Sequence, residues 1–200
     1  MRITAESIQD QIPSYLSQKD KENLARALND FPRKIDYYTN LFPDEALQGD
    51  GWTSVEVIRF EDGSRKLIKA VLLSNSCDVD PENSRALSTN LNFASVVKLN
   101  RYRDLLLKAS VGAKEVEDKI LAIKEQRVSS LVYLPKGAEL DDDYLALLDD
   151  IHTVPYRAFS MRNERKKLFT LSNVGFYLFV LKLSVHFCRL HEDIARTPID

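Results

Sequence analysis

The sequence predicts an α+β protein: a partly open antiparallel small β-barrel with an N-terminal helical arm (1–48), a helical insert (100–127) and a C-terminal helix (172–191). Three observations predict this class. Apolar residues recur at steps of three and four near both ends of the chain, the period of a helix packed on one face. Between Trp52 and Leu99 the pattern changes to short β-rich runs separated by turn residues, as in hairpins. A second helical pattern then interrupts the strands once, instead of alternating with them as in a doubly wound sheet.

Each element has its own warrant. Ser17 and Asp20 form a capping-box-like pair, Leu24, Ala27, Leu28 and Phe31 follow at helical spacing, and Pro32 ends the run. Residues 34–47 read as helical or irregular. Gln48-Gly49-Asp50-Gly51 is a turn-rich break, taken as the border between the arm and the barrel domain, 49–200. Strands are expected over 52–60 and 65–74, joined at Glu61-Asp62-Gly63-Ser64, and over 93–99. The second ends as an almost unbroken apolar run, the signature of burial on both faces. Tyr102, Leu105, Leu106 and Ala109, then Val116, Ile120 and Ile123, make the helical insert, broken at Gly112. Ser130–Leu134, Ile151–Val154 and Leu168–Leu171 read as short strands, and 141–150 fits helix or strand equally. Ser172 caps the last helix, with Phe176, Phe179, Val180, Leu183, Phe187 and Leu190 inward and Lys182, His186 and Arg189 as a polar stripe.

Charge and composition narrow the function classes. Basic side chains number 28 and acidic ones 30, so no bulk basic surplus points to nucleic acid, although a local patch is compatible. Two cysteines, Cys77 and Cys188, are too few for a disulfide scaffold and read as reduced thiols in a cytoplasmic protein. The first residues lack the apolar core of a signal peptide. Val174–Leu190, interrupted by Lys182 and His186, reads as a core helix rather than a membrane span.

The loop Ser74-Asn75-Ser76-Cys77-Asp78 is the most distinctive local sequence. Small polar side chains after a buried strand either satisfy a tight turn or mount a site, and both readings stand. Cys77 lacks a histidine-bearing protease signature, and Asp78 beside it would raise a thiol pKa. Cys77, Cys188, His186 and His191 do not share one helix face, and no CxxC, Walker loop or HExxH occurs, so no metal or cofactor is expected. Arg157, Arg162, Arg165, Lys166 and Lys167 form the one basic concentration, either a solvated loop or a phosphate-contacting rim.

Lys69-Ala70-Val71-Leu72-Leu73-Ser74-Asn75 resembles the central strand of the PemK/MazF-type small barrels, toxin ribonucleases with an SH3-like fold. Ser74-Asn75-Ser76-Cys77-Asp78 also resembles a group of bacterial proteins with a Ser-x-x-Cys-Asp step and an aromatic final helix. The resemblance implies two functions. One is a noncatalytic or regulatory binding protein of a bacterial or phage toxin–antitoxin or defence system, with a protein or RNA partner and room for a homodimer. There Asn75, Cys77, Asp78, Arg157 and Arg165 are the candidate binding residues. The alternative is a toxin-type endoribonuclease, with Arg65 stabilising phosphorane charge and Ser74 or Ser76 positioning the phosphate. The nuclease reading requires Arg65 and Ser76 to meet in one groove.

Overall fold

The computed structural model describes residues 35–79 and 89–187. In chain order the elements are β1 (Tyr38–Thr39), β2 (Gly51–Ile58), β3 (Arg65–Leu72), the short helix α1 (Ser76–Val79), β4 (Asn90–Lys98), α2 (Leu99–Lys108) and α3 (Ala113–Lys124). Then follow β5 (Leu131–Leu134), β6 (Tyr144–Pro155), α4 (Tyr156–Ser160), β7 (Lys167–Leu171) and α5 (Asn173–Phe187). The expected helix over 17–31 lies outside the described residues. No helix among the described residues is long and apolar enough to cross a membrane.

The strands form one antiparallel, unclosed sheet in the order β1-β7-β2-β3-β4-β6-β5. Of the three expected strands, β3 is therefore the antiparallel neighbour of both β2 and β4, which lie on either side of it. Gly63 sits at φ 68°, where glycine is unstrained, and Ser64 N–H and Oγ both donate to Asp62 Oδ1. The two sheet edges approach without pairing: Tyr38 Oη donates to Pro135 O at 2.7 Å, just past β5.

Alternation sorts the core. Val71, Ala94, Val96, Tyr144, Ala146 and Leu148 pack together on one face with Phe169 and Phe179. Ala70, Leu72, Phe93 and Val154 lie on the other face, against Trp52 and Phe159, while α2 and α3 cover Leu131 and Leu145. Gly51 is required where β2 meets β7, because a Cβ there would stand 2.2 Å from the Phe169 ring.

Three expectations change. The described part of the arm is not helical: Tyr38 pairs with Leu171, so residues 38–39 belong to the same sheet as the other strands. The ambiguous segment is strand from Tyr144 onward, since β6 runs through 144–155 and pairs with both β4 and β5, while 141–143 form the bend before it. The C-terminal helix is capped as expected, with Gly175 N–H donating to Ser172 Oγ at 3.1 Å. However, its buried positions are Gly175, Leu178, Phe179 and Lys182, and Phe187 is exposed. Nearly every residue of this helix is apolar, so the periodicity cannot pick out one face.

Lys182 is thus no surface residue. Its ammonium donates to Gln126 O at 2.9 Å and also to Val128 O, carbonyls that follow the end of α3. The Gln126 amide in turn donates to Tyr133 O at 2.8 Å and accepts from Tyr133 N–H at 3.1 Å. One buried side chain therefore pairs with the outward backbone of edge strand β5, where a neighbouring strand would otherwise be needed.

Phe179→Ala should destabilise the fold by about 3–5 kcal/mol, and Phe187→Ala, with its ring 56% exposed, by no more than about 0.5 kcal/mol. Urea melts check this, and equal losses would contradict the placement.

Burial holds the Lys182 ammonium down to a pKa of about 8, against an ordinary 10.5. Between those values the unfolded chain keeps a proton that the folded chain has released. Stability should therefore rise with pH above about 8, by at most about 1.4 kcal/mol per pH unit. The phenols of Tyr37 and Tyr133 are pushed up by burial, so they oppose this trend only near and above their ordinary value of 10.0. Denaturant melts from pH 7.5 to 9.5 should show the rise in the wild type and not in Lys182→Met. Identical slopes would contradict it.

Candidate functional site

The strand-end loop is held by its own polar atoms. Asn92 N–H donates to Ser74 Oγ at 2.8 Å, and Gln48 N–H donates to Ser76 Oγ at 3.0 Å. Asn75 Oδ1 accepts from Cys77 N–H at 3.0 Å, an Asx-type turn that leads into α1. Gln48 also donates through its side chain to Leu73 O at 2.7 Å. Both serines thus use their oxygens to tie this loop to β4 and to the turn before β2. Cys77 is exposed, and Asp78 sits beside it on the first turn of α1.

Arg65 stands at the other end of β3. Nine residue steps take it to Ser74, roughly 30 Å of extended chain. Its guanidinium pairs with Glu56 at 3.3 Å. Arg65 and the two serines are therefore not brought together, and the common groove that phosphoryl chemistry needs is not formed between them. The strand geometry itself keeps them apart.

The basic concentration is largely turned inward. Lys167 pairs with the fully buried Asp50 at 2.9 Å and donates to Phe42 O at 2.6 Å. Leu47 N–H donates to the same carboxylate, whose pKa burial nevertheless raises. Arg165 lies over the Phe159 ring, 4.4 Å from its centroid, and over Trp52 at 5.3 Å, while donating to Phe159 O. Arg162 pairs with Glu56 at 3.0 Å. Arg157 and Lys166 stay exposed. Most of this cluster therefore fixes α4 and the following loop against β2.

Two polar clusters escape the sequence reading because their members are far apart in the chain. Tyr144 Oη accepts from Lys69 at 2.7 Å and donates to Asp141 at 2.6 Å, and Lys98 closes the set on Asp141, also at 2.6 Å. Lys98 and Tyr144 hold the Asp141 carboxyl down, to a pKa of about 2. Burial, aided by Asp141, pushes the Tyr144 phenol up, so it serves as a hydrogen-bonding post and not as a nucleophile. The only hint in the sequence is the acidic triplet Asp141–Asp143, and nothing local marks its lysine partners.

The second cluster joins Ser95, His152 and Asp150. A bulge between Ala94 and Ser95 sets Ser95 Oγ 3.1 Å from His152 Nε2, with Asp150 Oδ1 at 3.3 Å. Both contacts fall on one ring nitrogen, whereas activating a serine needs the base on one nitrogen and the carboxylate on the other. Ser95 is also buried. The group clamps the bulge. Among the described residues no three His, Cys, Asp or Glu side chains are placed to hold a metal, and Cys188 and His191 lie outside those residues.

The remaining feature is the outer half of the β2–β3 hairpin. β3 pairs with β4 only at Ala70, Val71 and Leu72, and β2 pairs with β7 only at Gly51 and Trp52. Beyond those points the two strands run on as a ribbon, paired with each other from Val55–Ile68 to Ile58–Arg65. One face of the ribbon turns inward, with Val55 and Val57 buried and Ile68 packed against the Trp52–Phe159 cluster, whereas Phe60 is fully exposed, Ile58 is 64% exposed and Leu67 is 48% exposed. No protein-family model matches this sequence, and no curated protein matches it.

Proposed function

We propose that this chain is a noncatalytic binding protein that engages a protein partner through the projecting β2–β3 ribbon. The observation that carries the reading is the ribbon itself. Its inner face, at Val55 and Val57, is buried against the fold, while its outer side leaves Ile58, Phe60 and Leu67 in water, apolar surface of the kind a partner covers. The polar groups a nuclease would need have other work. Ser74 and Ser76 tie their loop to β4 and to the turn before β2, and Arg65 lies at the opposite strand end. Arg162, Arg165 and Lys167 are engaged within the fold, which favours a protein over RNA as the partner.

The setting follows from the resemblance at Lys69–Asn75 and Ser74–Asp78. On this reading the chain is an SH3-like, PemK-type small barrel acting in the cytoplasm, in a bacterial or phage toxin–antitoxin or defence system. Asn75, Cys77 and Asp78 then belong to the structural turn and Arg157 to the accessible rim.

Incubation with mixed-sequence single-stranded RNA should give no cleavage, and Arg65→Ala or Ser74→Ala should change nothing in that assay. Cleavage that either substitution abolishes would establish the nuclease reading in place of this one.

A further inference from the structure

We propose that the open edge of β3, residues 65–69, takes up an extended acidic segment of the partner protein as an added strand. This deepens the binding reading above by giving the chemistry of the partner. β3 is an eight-residue strand whose first five residues have no β4 partner. The vacant edge is about 16 Å long, room for a strand of ordinary length. Along it the unused backbone N–H and C=O groups of alternate residues present a ladder template.

The other edge of the ribbon is not equivalent. Thr53 N–H donates to Lys166 O at 2.8 Å, and Lys166 N–H returns a bond to Thr53 Oγ1 at 2.9 Å. Together with the Arg162–Glu56 pair, these contacts lay the 162–166 segment alongside β2. Among the described residues only the β3 side stays clear, and Arg65, Lys66 and Leu67 are all exposed there.

Charge selects the occupant. The five edge residues read Arg-Lys-Leu-Ile-Lys. A second copy pairing through the same edge, centred on Leu67, would set Arg65 against Lys69 and meet like charge along its length. An acidic strand is complementary: its carboxylates face Arg65 on one side of the ribbon and Lys66 on the other. Its apolar residues cover Leu67 and Ile68. Lys69, tied to Tyr144, ends the site where β4 rejoins the sheet.

The test uses three capped, fluorescein-labelled ten-residue peptides on the full chain, read by anisotropy. They are a Glu-Glu-Val-Val repeat, which offers both residue types to both faces (the Glu-Val peptide), the same repeat with Lys for Glu (the Lys-Val peptide), and the Glu-Val peptide with two inner valines replaced by proline. The Glu-Val peptide should bind. The proline peptide carries the same charge but cannot continue the ladder, so it should bind about tenfold or more weakly. The Lys-Val peptide should not bind, and Lys66→Glu should weaken the Glu-Val complex several-fold without altering the melt of the free protein. Failure of all three peptides, equal binding of the proline peptide, or displacement by a ten-nucleotide RNA would overturn the proposal. If the peptides fail and RNA is neither cut nor bound, the strand-addition proposal falls while the binding reading stands. RNA cleavage would bring down that reading itself.

Discussion

The parting of β3 from β4 at Ala70 is the constraint on which the rest of the structure depends. On the inner side of that point Ala70, Val71 and Leu72 are completely buried, paired on both edges and packed on both faces. On the outer side the same strand keeps one partner, β2, and its side chains turn from buried to half-buried to exposed within five residues. A strand with all its hydrogen bonds made inside a core is rigid, whereas one with a single partner and one wet face opens more easily. One eight-residue strand thus serves as both a core beam and an accessible arm.

The polar clusters explain how the parting is held. Lys69 is the first β3 residue outside the β4 ladder, and it is anchored on Tyr144 of β6. Lys98, at the end of β4, is drawn to Asp141 and lies opposite Tyr144 in the β4–β6 register. Side chains from three strands and a loop therefore converge where β3 and β4 diverge. Further along the sheet, Gln126 pairs with the Tyr133 backbone at the β5 edge, and Lys182 holds the Gln126 carbonyl from α5. That edge is closed by a side chain, and the β2 edge is lined by the 162–166 segment. Among the described residues, the β3 edge has neither form of cover.

Features carried by neighbouring residues were legible in the sequence. The Asp62-Gly63 turn, the apolar run of β3 and the Ser172 cap are local signals, and each has the structure expected of it. The turn reading of Asn75 was likewise available, because that residue type bonds its own backbone, whereas the partners of Ser74 and Ser76, Asn92 and Gln48, lie elsewhere in the chain. What depends on distant partners was hidden. The 144–150 stretch gave no clear period because β6 is covered on both faces over its first half, where alternation has no meaning. The helix face was ambiguous because α5 is apolar all round, and Lys182 looked like a surface residue because its carbonyl partners come from the end of α3. Lys167 and Arg165 counted as surface charge for the same reason, their partners Asp50 and Trp52 lying more than a hundred positions away.

Amide hydrogen exchange of the unliganded protein, resolved along β3, tests the central claim most directly. The amides of Ala70, Val71 and Leu72 should open only with global unfolding. Among Arg65–Lys69, those not bonded to β2 should exchange orders of magnitude faster, with the change falling at Lys69–Ala70. Protection that continues at the core level from Leu72 out to Arg65 would mean the edge is already covered, and would contradict the account.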